Sequence, residues 1–273
     1  MKRALIFDCD GVLADTEAEG HLVAFNQMWR ELGVPWQWGR EEYARKLRFG
    51  GGKERMASLF GDADFLAAYS PPEGEQERRE LIAAWHRRKT SIYGRLVESG
   101  ALAPRPGVRR LAAEALAAGW TLAVASTSAP ESVAAVLRHT MGEALAERFA
   151  LVLAGDVVKA KKPAPDIYLL ASERLGIPPS GCVPIEDSAN GLQAAVEAGM
   201  RCVVTVSAFT AAENFSRASL VVTCLGDAGS EPCRVLANRS AATPGAELTV
   251  RDLEAIVAAG PAAEGGCGDA NQG

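Results

Sequence analysis

The chain has 273 residues, 48% of them hydrophobic, and its 29 basic and 34 acidic side chains give a net charge of −5. That supplies a core for one large or two modest domains, and the acidic balance disfavours a general nucleic-acid or anionic-membrane binder while leaving room for a local basic pocket. No apolar run reaches the length of a bilayer-spanning helix, and the N-terminus enters strand-like sequence at once, without a signal-type leader.

The first predicted strand, ALIFD, runs into DCDG. Alternate side chains of an extended chain share a face, so Asp8 and Asp10 point together, an unfavourable pairing unless a cation, a shared proton or a bound phosphate offsets it. More than a hundred residues then separate Asp10 from the next strand-like run at Thr121. A parallel crossover needs only about a dozen. The intervening GHLVAFNQMWRELG and EQERRELIAAWHRRKTSIYGRLVESG are helical in pattern, so this stretch reads as an inserted helical domain. Within it, FGGGKER sets three glycines before Lys53, Glu54 and Arg55. Such a segment suits either a flexible interhelical loop or close backbone approach to a phosphate, with free amides and the two cationic side chains, Lys53 and Arg55, to bind it.

ALAPRPGV, stiffened by Pro104 and Pro106, returns the chain to the core. The expected division is a core of residues 1–15 and 104–260, a helical insert of 16–103 and a disordered tail of 261–273. The helix RRLAAEALAAG leads to strand TLAVA, followed by Ser126, Thr127 and Ser128, hydroxyls that can cap a helix or donate to a phosphate oxygen. Strand ALVLAG precedes GDVVKAKKPAPDIY with Lys161 and Lys162, and strand CVPIED delivers Glu186 and Asp187. RCVVTVS and SLVVT are the last predicted strands, LGDAGSEPCRVLANRSAATPGAEL reads as a surface loop, and DLEAIVAA as a final helix.

Apolar runs with little polar alternation point to strands buried on both faces, hence to an α/β fold with a doubly wound parallel sheet. Ligands in such sheets gather at the carboxyl ends of the strands. There the sequence assembles four acids, hydroxyls and a lysine, which calls for a further cation, and magnesium suits an all-oxygen set. The six cysteines have no CxxC spacing and fit buried thiols in a reducing compartment. The three histidines form no HExxH pattern, which argues against a zinc hydrolase.

Together FDCDGVLADTE, AST, KKPAPDIY and IEDS resemble the motifs of the haloacid dehalogenase-like phosphatases over roughly Arg3 to Thr223. The resemblance implies a Rossmann-like core with a helical cap, Asp8 as the nucleophile that forms an aspartyl-phosphate, and Asp10 as general acid and base. It implies Ser126 and Lys162 as holders of the transferring phosphoryl group, with Thr127 beside them on the substrate. Mg2+ would be held by Asp8, the Asp10 backbone carbonyl and Asp187, assisted by Glu186. The match to a KP dipeptide favours Lys162 over Lys161.

More narrowly, EEYARKLRFGGGKERM, DTEAEGHLVAFN and HRRKT resemble the cap of the CbbY-type phosphatases associated with Rubisco, and FDCDGVL, GGGKERM, STS and AGDVV resemble its chloroplast members. The implied reaction is hydrolysis of xylulose-1,5-bisphosphate, a Rubisco inhibitor, to xylulose-5-phosphate and phosphate. On this resemblance Glu17, His21 and Tyr43 contact sugar hydroxyls, and Gly52, Lys53, Arg55 and Lys89 bind the distal phosphate. The partner is then a small sugar bisphosphate, with no nucleic acid or membrane, and the protein a monomer of the chloroplast stroma or of a bacterial cytoplasm. A β-phosphoglucomutase-like phosphomutase or a general sugar-phosphate phosphatase shares the same motifs. A phospho-receiver signalling domain shares the acids, hydroxyl and lysine, but not the DxD on the first strand or a large helical insert.

Overall fold

A computed structural model describes residues 2–258, so the tail expected at 261–273, the last residues of the core range and Cys267 lie outside the described residues. The chain opens with strand β1 (Ala4–Phe7) and, after a π-helical turn at Glu17–His21, passes through helices α1 (Leu22–Glu31), α2 (Arg40–Lys46), α3 (Gly52–Ala57), α4 (Ala63–Ala68) and α5 (Glu75–Glu98). It continues with α6 (Val108–Ala117), β2 (Thr121–Ala125), α7 (Pro130–Met141), α8 (Glu143–Ala146), β3 (Phe149–Leu153), α9 (Asp166–Leu175), β4 (Cys182–Glu186) and α10 (Ala189–Glu197). Strands β5 (Val203–Thr205), β6 (Leu220–Val222) and β7 (Val235–Asn238) and helix α11 (Val250–Ala258) complete it.

The seven strands form one sheet in the order β3-β2-β1-β4-β5-β6-β7. β1 pairs in parallel with β2 on one side and β4 on the other. Successive connections therefore leave β1 in opposite directions, and the carboxyl ends of β2, β1 and β4 open onto a common crevice. β1 and β4 are buried along their whole length, as uninterrupted apolar runs require.

Two expectations need correction. The sheet is mixed, because β7 runs antiparallel to β6 within the stretch read as a loop. β7 is a four-residue edge strand whose Val235 and Leu236 are 43% and 55% exposed, so it has no buried alternation for a sequence reading to detect. At the opposite edge, β3 alternates half-buried and exposed residues before Leu153 instead of being buried on both faces.

All the helices between β1 and β2 except α6 belong to the insert, and an aromatic cluster packs their apolar faces. Trp29 meets Trp38 edge-on with ring centroids 4.6 Å apart, and Phe25 meets Trp38 at 4.9 Å. Burying each such ring contributes about 1.5–3 kcal/mol. α5 buries Trp85, Lys89, Ile92, Tyr93 and Val97 along one stripe and packs on α1 and α7, bridging insert and core. The two connections touch where the insert leaves and rejoins the sheet. Ala14 bridges to Pro104, and the Arg105 amide donates to the Leu13 carbonyl at 3.0 Å. The Arg105 guanidinium anchors the return segment to Thr205, the Val206 carbonyl and the Thr223 carbonyl.

Candidate active site

Asp8 and Asp10 follow β1, Ser126 to Ser128 follow β2, Lys162 lies on the loop before α9, and Glu186 and Asp187 mark the end of β4. All of them line one cavity under the insert. Lys162 Nζ reaches Asp8 Oδ1 at 2.7 Å, Glu186 Oε1 at 2.6 Å and the Ala125 carbonyl at 2.9 Å. Burial works against its charge, but Asp8 and Glu186 more than compensate and hold the ammonium protonated. The Tyr168 hydroxyl also donates to Glu186 Oε1, so Glu186 is fixed from two sides.

Asp8, Glu186 and Asp187 bring one carboxylate oxygen each within 4.8 Å of one another. Burial pushes the Asp8 carboxyl up; Lys162 opposes this, Glu186 and Asp10 reinforce it, and the result is about 7. Asp187 is buried, and its side chain accepts no hydrogen bond among the described residues. Burial, then Asp8 and Glu186, push it well above the usual carboxylate range. A buried carboxylate with no donor beside two others is the environment a hard divalent cation relieves. The surrounding backbone preserves that space. A Cβ on Gly11, at φ +77°, would collide with the Asp187 carboxylate, and one on Gly191 with the Glu186 carboxylate. The oxygen-only set therefore fits a divalent metal, which Asp8, Asp187 and Glu186 would hold.

Asp10 points elsewhere. Its carboxylate accepts from Thr16 Oγ1 at 2.7 Å, from Ser128 Oγ, and contacts His21 Nε2 at 2.9 Å. Burial alone would raise its carboxyl, but His21, Ser128 and Thr16 hold it well below the usual range. Its side chain thus stands outside the carboxylate triad, which is compatible with a metal contact only through its backbone carbonyl. Ser126 is buried, and its Oγ accepts from the Ser128 amide at 3.1 Å.

From the insert, Glu17, His21, Gly52, Arg55 and Lys89 face the same cavity, as does Thr127 from the core. Lys89 is only 6% exposed, which rules out a solvated helix face; its Nζ lies 2.6 Å from His21 Nδ1 and 4.9 Å from the ring centres of Phe25 and Tyr93. Arg55 is committed to Glu17 at 3.3 Å, to the Tyr43 hydroxyl at 2.8 Å and to the Phe49 carbonyl at 3.2 Å.

Two expected substrate contacts do not reach the cavity wall. Tyr43 is fully buried and donates its hydroxyl to Glu17, so it braces a cavity residue. Lys53 points to the side, paired with Asp156 at 2.6 Å and 43% exposed. Sequence reasoning passed over Thr16, Tyr168 and His86. His86 precedes Lys89 by three residues on α5, so helical spacing alone sets both toward the same face, and His86 lines the cavity beside Gly52. Burial, then Lys89 and Lys53, push its imidazole down to about 4.

A family model of haloacid dehalogenase-like hydrolases matches residues 2–199. The chain belongs to the haloacid dehalogenase-like hydrolases. Within them it sides with the CbbY proteins. It is 46% identical over 228 residues to a CBBY-like protein of Arabidopsis thaliana, covering 84% of this chain and 70% of that one. It is 44% identical over 226 residues to the plasmid-borne CbbY of Cupriavidus necator, covering 82% and 86%. The crystal structure of a CbbY variant from Rhodobacter sphaeroides in complex with xylulose-1,5-bisphosphate is 42% identical, with a TM-score of 0.73 over 84% of this chain and 98% of that one. The protein is a CbbY-like phosphatase, a phosphoric monoester hydrolase. Among the described residues, no helix is long and apolar enough to cross a membrane.

Proposed function

We propose that the protein hydrolyses xylulose-1,5-bisphosphate to xylulose-5-phosphate and phosphate with magnesium as its metal, and so removes a Rubisco inhibitor. The observation that carries this reading is the xylulose-1,5-bisphosphate complex of the R. sphaeroides relative, alike over nearly its whole length. In support, one cavity joins an anion-handling set on the core to two cations of the insert, the half-buried Arg55 and the buried Lys89, which suits a substrate with a phosphate at each end. Residues 16–103 then serve as a cap that closes on the Ala14–Pro104 bridge and excludes water.

In this mechanism Asp8 attacks the phosphorus in line, and the sugar oxygen leaves. Lys162 and Ser126 hold the phosphoryl oxygens where charge develops, Glu186 and Tyr168 keep Lys162 in place, and Thr127 supplies a further hydroxyl. A divalent metal, which Asp8, Asp187 and Glu186 would hold, would supply neutralisation of negative charge at the reacting centre. Asp10, ionised in the resting site, must first take up a proton from solvent, which it then gives to the leaving sugar oxygen; His21, in contact at 2.9 Å, orients the carboxyl. Once the sugar has left, the Asp10 carboxylate takes a proton from the water that hydrolyses the aspartyl-phosphate. Glu17, braced by Arg55 and Tyr43, meets the sugar hydroxyls. A carboxylate held this rigidly discriminates epimers because the wrong one leaves it without a partner.

The test is phosphate release with magnesium from xylulose-1,5-bisphosphate, beside ribulose-1,5-bisphosphate and β-glucose-1-phosphate primed with the glucose bisphosphate, with Asp10→Asn as control. A strong preference for the xylulose compound, lost in the control, supports the reading. Indifference to it, with glucose-6-phosphate formed instead, replaces the substrate assignment with a phosphomutase.

A further inference from the structure

We propose that Lys161, the lysine beside Lys162, is a positioning residue that fastens residues 50–55 of the insert, the glycine loop and the first turn of α3, against the core. The proposal rests on the bisphosphatase reading only for its kinetic readout.

The loop carries Gly51, Gly52 and Arg55 into the cavity wall, so its seating decides where they stand. Lys161 Nζ lies 2.6 Å from Glu54 of the insert and 3.0 Å from Asp156 of the core, and Asp156 in turn holds Lys53 of the insert at 2.6 Å. Glu54, Lys161, Asp156 and Lys53 thus alternate in sign across the seam. Each charge has an opposite neighbour on the other side. The shared lysine is the least exposed of the four, its side chain 17% accessible against 43%, 58% and 43% for Glu54, Asp156 and Lys53. An isolated surface pair contributes little, but a network around a half-buried centre holds its geometry better.

The glycines gain a reason here that a phosphate cradle does not supply. Gly51, at φ +130°, has the Lys161 ammonium 3.1 Å from where a Cβ would stand and the Glu54 carboxylate closer still. At Gly50 a Cβ would lie 2.8 Å from the Lys162 carbonyl oxygen. A side chain at Gly50 would push the segment off the core backbone, and one at Gly51 would crowd the Glu54–Lys161 pair in a left-handed conformation that disfavours it. The dipeptide therefore has two tasks: Lys162 turns inward to Asp8, and Lys161 turns outward to the loop. Asn190 repeats the pattern further along the seam by donating to the Arg48 carbonyl at 3.4 Å.

The experiment compares Lys161→Met, Lys161→Arg, the single reversals Glu54→Lys and Lys161→Glu, and the double reversal. Amide hydrogen exchange over residues 48–56 and kcat and KM for xylulose-1,5-bisphosphate are read in each. Losing the two Lys161 pairs is expected to speed exchange several-fold and to raise KM roughly three- to tenfold, with kcat changed by no more than about twofold. Lys161→Arg should keep wild-type behaviour, and the double reversal, which restores the pair with position 54 but sets an acid against Asp156, should recover part of what each single reversal lost. Wild-type exchange and KM in Lys161→Met, or a double reversal no better than the singles, overturns the proposal. If the wild type itself does not turn over the bisphosphate, the substrate reading falls, and the exchange pattern alone decides the role of Lys161.

Discussion

His21 Nε2 and Asp10 Oδ1 lie 2.9 Å apart, joining the first residue cluster of the insert to the end of the first core strand. On its other side His21 Nδ1 faces the Lys89 ammonium at 2.6 Å. A charged ammonium can only donate, so Nδ1 accepts and the imidazole proton sits on Nε2, directed at Asp10. His21→Ala is expected to lower kcat for sugar phosphates by about tenfold or more, since it disorders the group that protonates the leaving oxygen. An aryl phosphate with an acidic phenol needs little such help and should lose much less. Steady-state rates on both substrates check this, and equal losses would remove Asp10 from the proton-transfer role.

Asp187 makes the metal's effect on stability differ between wild type and variant. Its carboxyl is pushed up by burial and by Asp8 and Glu186, so at neutral pH its ionised form destabilises the metal-free fold. That penalty is relieved as pH falls through the raised value toward the ordinary one. Asp187→Asn should therefore melt higher than wild type at pH 7 in chelator. Millimolar magnesium should raise the melting temperature of the wild type but not of the variant. Thermal melts of both proteins with and without metal provide the comparison.

Gly191→Ala would ordinarily favour a helix by about 1 kcal/mol. In α10 the added methyl collides with the Glu186 carboxylate that holds Lys162. Overpacking of this kind costs about 1–3 kcal/mol, so denaturant unfolding should show net destabilisation and phosphatase activity should fall with it.

Lys89 combines burial with function. Burial lowers its ammonium to about 8, although Asp10 and Glu17 act to raise it. Its folded value lies below its unfolded one, so the charged form costs stability at pH 7, and the cost is relieved as pH rises from about 8 to the ordinary value near 10.5. Lys89→Met should be more stable than wild type at pH 7, with the difference shrinking by pH 10 in denaturant titrations. KM for a bisphosphate should rise in the variant at neutral pH, and in the wild type as pH passes about 8.

The core of the site was legible in the sequence because sheet topology does most of its assembly. Once ALIFD, TLAVA and CVPIE are read as parallel strands, whatever follows them must meet at one end of the sheet, and Asp8, Asp10, Ser126, Glu186 and Asp187 do. The insert was legible as helical and as separate, from the sheer length between Asp10 and Thr121. Its contacts were harder to read. Lys53 and Lys89 looked equally suited to a phosphate, yet Lys53 pairs outside the cavity with Asp156 and Lys89 is buried within it.

What the sequence determined by itself was therefore the residues whose position follows from backbone periodicity: strand ends, helix faces, and the carboxylates and lysine that need a cation between them. The tertiary structure decided direction. It turned Lys162 to Asp8 and its neighbour Lys161 to Glu54, buried Tyr43 behind Glu17, and made an edge strand of Val235–Asn238. Side chains of the same type, adjacent or on mobile stems, differ only in which charge or surface they meet across the fold, and that is set by contacts between residues distant in sequence.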